Sequence, residues 1–166
     1  MWQTDPMLEW TETELAGGLK LRLIAAPSGI RAIGFDARQA PAGEPNPANG
    51  MLRDAIAQLA AYFAGELREF RLALDPRGTE FQMRVWRYLE TIPYGQTRSY
   101  MQIAEAIGSP RAVRAVGAAN GANPIAIVIP CHRVIGANGK LVGYGGGLAL
   151  KQRLLELEGA ISCSLV

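Results

Sequence analysis

The chain is poor in sulfur and nearly devoid of imidazole, with two cysteines and a single histidine among 166 residues. Two thiols separated by 31 intervening residues make no disulfide framework. No CxxC pair or His/Cys cluster has metal-ligand spacing, so neither a metal nor another cofactor is expected. No apolar run approaches the roughly 20 residues needed to cross a bilayer, which argues against a membrane partner. The N-terminus, Met1 to Pro6, lacks the basic and apolar regions of a signal peptide, and reduced thiols in a cytoplasmic protein are the simplest expectation. Aromatic residues make up only 7%. What remains, 49% apolar and 19% charged, is the composition of a soluble globular chain long enough for one domain or two small ones.

A net charge of +2 hides an uneven distribution. Residues 1–50 carry four basic and six acidic side chains, whereas residues 79–166 carry nine basic and five acidic ones. Between Arg98 and Arg153 there are seven basic residues and one acid, Glu105. A local basic surface of this kind suits a polyanion, although many solvated faces are also basic.

The first half reads as α/β. Leu19 to Leu23 alternates with period two, and Ile30 to Phe35 follows a Pro-Ser-Gly turn, which predicts a hairpin in a small antiparallel sheet. Residues 40–50 read as a loop, and apolar residues Leu52, Ile56, Leu59, Phe63 and Leu67 recur at helical spacing over 51–67. Asp75-Pro76-Arg77-Gly78 breaks the chain, so the expected domains are 1–76 and 77–166.

The second half opens on a helix start, with Thr79 and Gln82 in a capping-box pattern and Phe81, Val85, Trp86 and Leu89 on one face. Ile92-Pro93-Tyr94-Gly95 ends that helix. Ser99 is expected to cap a short helix from Tyr100 to Ile107. Ser109 and Pro110 are expected as the N-cap and first residue of a second, from Arg111 to about Ala119. Two brief helices with a tight connection have the spacing of a helix-turn-helix, and the second carries Arg111 and Arg114 among small residues. The predicted C-terminal domain is therefore mainly α and winged-helix-like. A glycine-rich loop over 136–147 lacks the strand–turn–helix frame of a nucleotide-binding fingerprint. A last helix runs from Leu148 to Glu158.

Most of the chemistry sits where the apolar run Ile125 to Ile129, read as a buried strand, ends in Pro130-Cys131-His132-Arg133. A thiol, a base and a guanidinium then stand side by side. A free cysteine is ordinarily a small core hydrophobe, but one beside a base becomes a nucleophile when its thiolate is stabilised. On a strand, Cys131 and His132 would point to opposite sides, so a water would have to link them. Glu158 could orient the imidazole, or could be a solvated helix-end carboxylate. The residues alone admit a cysteine hydrolase with a Cys-His-Glu relay, or a non-catalytic helix-turn-helix protein that binds DNA lesions or regulates.

Ile129 to Gly136 resembles the active-site signature of the O6-alkylguanine-DNA alkyltransferases. The resemblance extends through Phe81-Gln82, Val85-Trp86, Ile92 to Gly95, Arg114 to Gly117, Asn123-Pro124, Gly143 to Gly146 and Leu154 to Gly159. It covers about residues 79–160, with residues 1–75 matching loosely. It implies single-turnover transfer of an alkyl group from O6-alkylguanine, and by extension O4-alkylthymine, in double-stranded DNA to Cys131. His132 would be the water-linked base, held by Glu158, and Tyr100 the proton donor to guanine N3. Asn123 would brace the active-site turn, and Val134, Tyr144 and Gly145 would line the guanine pocket. Arg114 would replace the flipped base from a helix in the minor groove, with Tyr100, Met101, Ser109, Arg111 and Ala137 as further DNA contacts. The family resemblance further suggests a monomer in solution, with cooperative binding on DNA open. Relatives that hold zinc do so through N-terminal Cys and His residues that this chain lacks.

Overall fold

A computed structural model describes residues 5–35 and 40–162. The chain forms two compact units: one made of the residues up to Arg77 together with Pro124–Ala126, the other of Gly78–Asn123 and the residues from Ile127 on.

The first unit is built on a three-stranded antiparallel sheet of β1 (Glu9–Leu15), β2 (Leu19–Ala26) and β3 (Gly29–Gly34), in that order. The alternation over 19–23 is that of β2, with Leu21 and Leu23 buried. The outer edge of β3 does not stay open. Ile30 donates to the Ala73 carbonyl at 2.8 Å and accepts from the Asp75 amide at 2.8 Å. Ile33 likewise donates to Pro124 at 2.9 Å and accepts from Ala126 at 3.0 Å. Gly29 makes this approach possible, because a Cβ there would lie 2.7 Å from the Ala73 oxygen. Helix α1 (Gly50–Phe63) is capped by Asn49, whose side chain accepts from the Leu52 amide. It buries Leu52, Ala55, Leu59 and Tyr62. It stops short of the expected Leu67, because Gly65 takes φ +75° and turns the chain out of the helix.

The second unit is mainly helical. Helix α2 (Glu80–Glu90) begins with the full capping box, Thr79 and Gln82 each bonding the other's backbone amide. Its Trp86 ring packs on Gly78, where a Cβ would come within 2.5 Å of the ring, and the indole donates to the Ala119 carbonyl at 2.8 Å. Helix α3 (Tyr100–Ala106) has a second capping box, from Ser99 and Gln102. Helix α4 (Val113–Gly121) departs from expectation: it starts at Val113 with no side-chain cap. Ser109 instead accepts the Ala112 amide through its carbonyl at 2.9 Å, so Ser109, Pro110 and Arg111 form a turn ahead of the helix. Two-residue strands β4 (Arg98–Ser99) and β5 (Val134–Ile135) pair in parallel, and α5 (Leu148–Leu157) closes the unit.

The expected buried strand over 125–129 is not a strand. Ile125 makes one bridge to Ile33, and the chain then turns through Ile127, a buried β-branched residue at φ +72°. A conformation so unfavourable for isoleucine costs on the order of 1–3 kcal/mol and persists only where surrounding packing over-determines it.

Thr79→Ala removes one half of the α2 capping box. It is expected to cost about 1 kcal/mol, read as a lower urea midpoint with an unchanged m-value.

Candidate active site

The turn at Ile127 delivers Pro130 to a single 3-10 turn, Cys131–Arg133, in which all three side chains are buried. In a turn with three residues per revolution, neighbouring side chains splay about 120° apart, so Cys131 and His132 do not face opposite sides as they would on a strand. Asn120 in the last turn of α4 and Asn123 just beyond its C-cap hold this turn. Asn123 donates to the Ile129 carbonyl at 2.8 Å and its amide acts on the Cys131 thiol. Asn120, itself buried, donates to the Cys131 carbonyl at 3.4 Å.

Glu158, at the C-cap of α5, is buried and accepts on both carboxylate oxygens. His132 Nε2 lies 2.8 Å from Oε2. Arg133 donates through Nε to Oε1 at 2.6 Å and through NH2 to Oε2 at 3.1 Å. Its NH1 donates to the Ile92 carbonyl at 2.6 Å, and its guanidinium lies 5.8 Å from the centre of the Tyr94 ring. Tyr94 donates its hydroxyl to the Leu157 carbonyl at 3.3 Å, and a Cβ on Gly95 would come within 3.0 Å of the main-chain carbonyl oxygen of Glu158. The Ile-Pro-Tyr-Gly segment therefore does more than end α2: it seats the arginine that seats the glutamate.

Protonation states follow from this arrangement. Burial alone would raise the Glu158 pKa, but its bonds to His132 and Arg133 bring it down to about 2. An ionised carboxylate only accepts, so His132 Nε2 carries the proton and Nδ1 presents a lone pair. Burial pushes the imidazole below its usual value, against the pull of Glu158. We take the ring as neutral because Arg133 already supplies the glutamate with a cation. Among the described residues Nδ1 has no hydrogen-bond partner, which leaves it available as a base. Burial also raises the Cys131 thiol, opposed by Asn123 and by the charge of Lys151. The resting site is thus a neutral thiol beside a neutral base.

Around this core, Tyr100 at the start of α3 is half-buried and donates its hydroxyl to the Val142 carbonyl at 3.1 Å. Burial, then the nearby Cys131, raise its pKa. The Tyr144 ring meets the His132 ring edge-on, with centres 6.4 Å apart. Val134 is buried in β5, while Gly145 is exposed. Arg114 on α4 is exposed and makes no ion pair among the described residues. Met101 is 51% exposed on α3, Ser109 is half-buried, and Arg111 and Ala137 are exposed in turns. Cys163 lies outside the described residues, and among the described residues no three of His, Cys, Asp and Glu cluster as metal ligands. No helix among the described residues is long and apolar enough to cross a membrane.

Sequence reading assigned no role to Arg133, Asn120 or Lys151. Arg133 stands inside the signature itself, where a basic residue adjoining a buried segment signals a buried pair. Lys151 looks like any helix-surface lysine.

Two family models match the chain. "6-O-methylguanine DNA methyltransferase, DNA binding domain" covers residues 80–160, and the "ribonuclease-like domain" of the same name covers residues 20–76. The methylated-DNA--protein-cysteine methyltransferase of Mycolicibacterium paratuberculosis is 73% identical over 104 residues, 63% of this chain and 63% of its own length. That of Mycobacterium leprae is 66% identical over 112 residues, 68% of each chain. The crystal structure of Mycobacterium tuberculosis OGT in complex with DNA superposes with a TM-score of 0.84 at 51% identity, covering 92% of this chain and 93% of that one.

Acid should undo the Glu158 cluster. A carboxyl depressed from 4.5 to about 2 contributes stability at neutral pH that is lost as pH falls through that interval. Glu158→Gln, which leaves Arg133 buried and unpaired, is expected to cost about 3–5 kcal/mol. It should also flatten the acid limb between pH 4.5 and 2 in pH-dependent urea unfolding.

Proposed function

The chain belongs to the 6-O-methylguanine DNA methyltransferase family, and from that premise we propose that it repairs DNA by moving the alkyl group of O6-alkylguanine onto its own Cys131. The observation that carries the reading is the buried chain of groups Cys131, His132, Glu158 and Arg133, in which the imidazole is neutral, oriented and free at Nδ1. The alkylated guanine leaves the DNA stack, since its O6-alkyl carbon is out of reach within a duplex. His132 Nδ1 takes the thiol proton through a water, and Glu158 stabilises the imidazolium that forms. The thiolate attacks the alkyl carbon in line: one S–C bond forms and the C–O6 bond breaks. Tyr100 gives its hydroxyl proton to guanine N3 as the base departs, and the proton held by His132 restores the tyrosine. The product is a thioether with no route back to a thiol, so each molecule acts once.

Binding rests on the exposed face of α4. Ala115, Ala118 and Gly121, exposed beside Arg114, leave room for close approach to a minor groove, where little base identity is displayed. Arg114, exposed and uncommitted, fills the gap left by the flipped base. Met101, Ser109, Arg111 and Ala137 contact the backbone around it, and Val134, Tyr144 and Gly145 receive the guanine. The protein works as a monomer in the cytoplasm.

Duplex DNA carrying O6-methylguanine should leave one methyl group per chain on the Cys131 peptide, read by mass spectrometry. An unmodified thiol with the lesion intact would refute the reading. Cys131→Ser should abolish transfer while DNA binding persists. Arg114→Ala should slow transfer from duplex about tenfold, yet leave single-stranded substrate nearly unaffected, because only the duplex must lose a stacked base. The rate should hold steady as pH falls through the ordinary imidazole value of about 6.5 and decline only below it, because burial keeps His132 neutral.

A further inference from the structure

Lys151 is a buried cation without a buried anion. Its side chain is fully enclosed, yet no carboxylate pairs with it among the described residues. Its ammonium instead donates to two successive carbonyls of the glycine-rich loop, Val142 at 3.1 Å and Gly143 at 3.2 Å. The Val142 oxygen is the same one that takes the Tyr100 hydroxyl. One carbonyl thus gathers a lysine from α5 and a tyrosine from α3. The Val142 side chain stays about half exposed, so this segment is held by its backbone rather than by apolar burial. Two neutral carbonyls do not neutralise a buried charge, and enclosing one without compensation is costly. A compensating charge can form at the thiol that the lysine's charge reaches. The Cys131 thiol feels the positive charge of Lys151, which favours its ionised form. The lysine in turn is pushed down by burial and held up by Cys131. Tyr100 from α3 also feels the Cys131 charge, and the charge of Lys151 reaches His132 as well, whose partner Glu158 is already matched by Arg133.

We propose that Lys151 is a positioning residue that fastens the 142–143 segment to Tyr100 and supplies the positive charge that the Cys131 sulfur meets as it ionises. The role rests on the alkyl-transfer reading for its purpose but not for its detection, since thiolate formation can be measured without DNA.

The test uses the full chain in a Cys163→Ser background, where Cys131 is the only thiol. Its rate of alkylation by iodoacetamide is followed against pH, and transfer from an O6-methylguanine duplex is measured in parallel. Lys151→Met keeps the bulk of the stem and removes the charge. It should move the iodoacetamide profile about one pH unit upward, which is about tenfold slower at neutral pH. Lys151→Arg should recover most of that rate. Transfer from the duplex should fall further than the iodoacetamide rate in Lys151→Met, since the hold on Val142 and Tyr100 is lost as well. Superimposed profiles for a folded Lys151→Met and the parent would overturn the proposal, as would equal slowing in the methionine and arginine variants. Should Lys151→Met fail to give a cooperative melting transition, Lys151→Gln decides by the same profile. A lysine-dependent profile in a protein that leaves O6-methylguanine untouched would support the role of Lys151 and refute the repair function.

Discussion

One buried carboxylate organises the catalytic half of this protein. Glu158 accepts from His132 and from Nε and one terminal nitrogen of Arg133, and the arginine matters as much as the histidine. Had the glutamate met the imidazole alone, the buried pair would favour the imidazolium, and a protonated ring cannot take a proton from a thiol. Arg133 answers the negative charge first, leaving His132 neutral, fixed in one tautomer and basic at its inner nitrogen. The Ile92 carbonyl, the Tyr94 ring and the close approach at Gly95 exist around that pair. They would have little to do if the arginine pointed elsewhere.

A second balance concerns the site as a whole. Its buried charges are Arg133, Lys151 and Glu158, two cations and one anion. A neutral thiol leaves that set one negative charge short, and a thiolate completes it. Burial and charge therefore act on the sulfur in opposite directions: the first keeps the resting thiol quiet, and the second lowers the cost of ionising it when a base is at hand. A nucleophile meant for one use benefits from both, because idle reactivity would consume it.

Where the sequence carried local chemistry, the structure followed. Thr79 with Gln82 and Ser99 before Tyr100 are read from side chains that bond their own backbone, and those bonds form. Cys131 and His132 stand out as a thiol beside the lone histidine, whereas a helix-end Glu158 reads from its own sequence as a solvated carboxylate, and only the family resemblance joins it to them. Failures came where two structures share one pattern. Five apolar residues from Ile125 to Ile129 suit a strand or a buried turn equally, and only the left-handed backbone at Ile127 distinguishes them. Ser109-Pro110 is as good a turn as a helix start, and Ala112 took the cap position without a side-chain bond. Strand β1 went unread because Thr and Glu alternate along it, so its apolar face is thin. Lys151 was invisible because nothing local separates a buried lysine from an exposed one.

Helix α5 carries Lys151 in its first turns and Glu158 at its cap, seven residues apart. Seven residues make nearly two turns and a rise of about 10.5 Å, which returns both side chains to one face. A single rigid rod therefore sets both the separation of the two groups and their shared direction. Length variation among relatives should be unequal as a result. A residue gained or lost in the exposed turn at 137–140 can be absorbed by loop backbone. One gained or lost between 151 and 158 would rotate one group about 100° away from the other, and no compensating shift could restore both. The helix acts as a ruler, and its length is under tighter constraint than the identity of most residues along it.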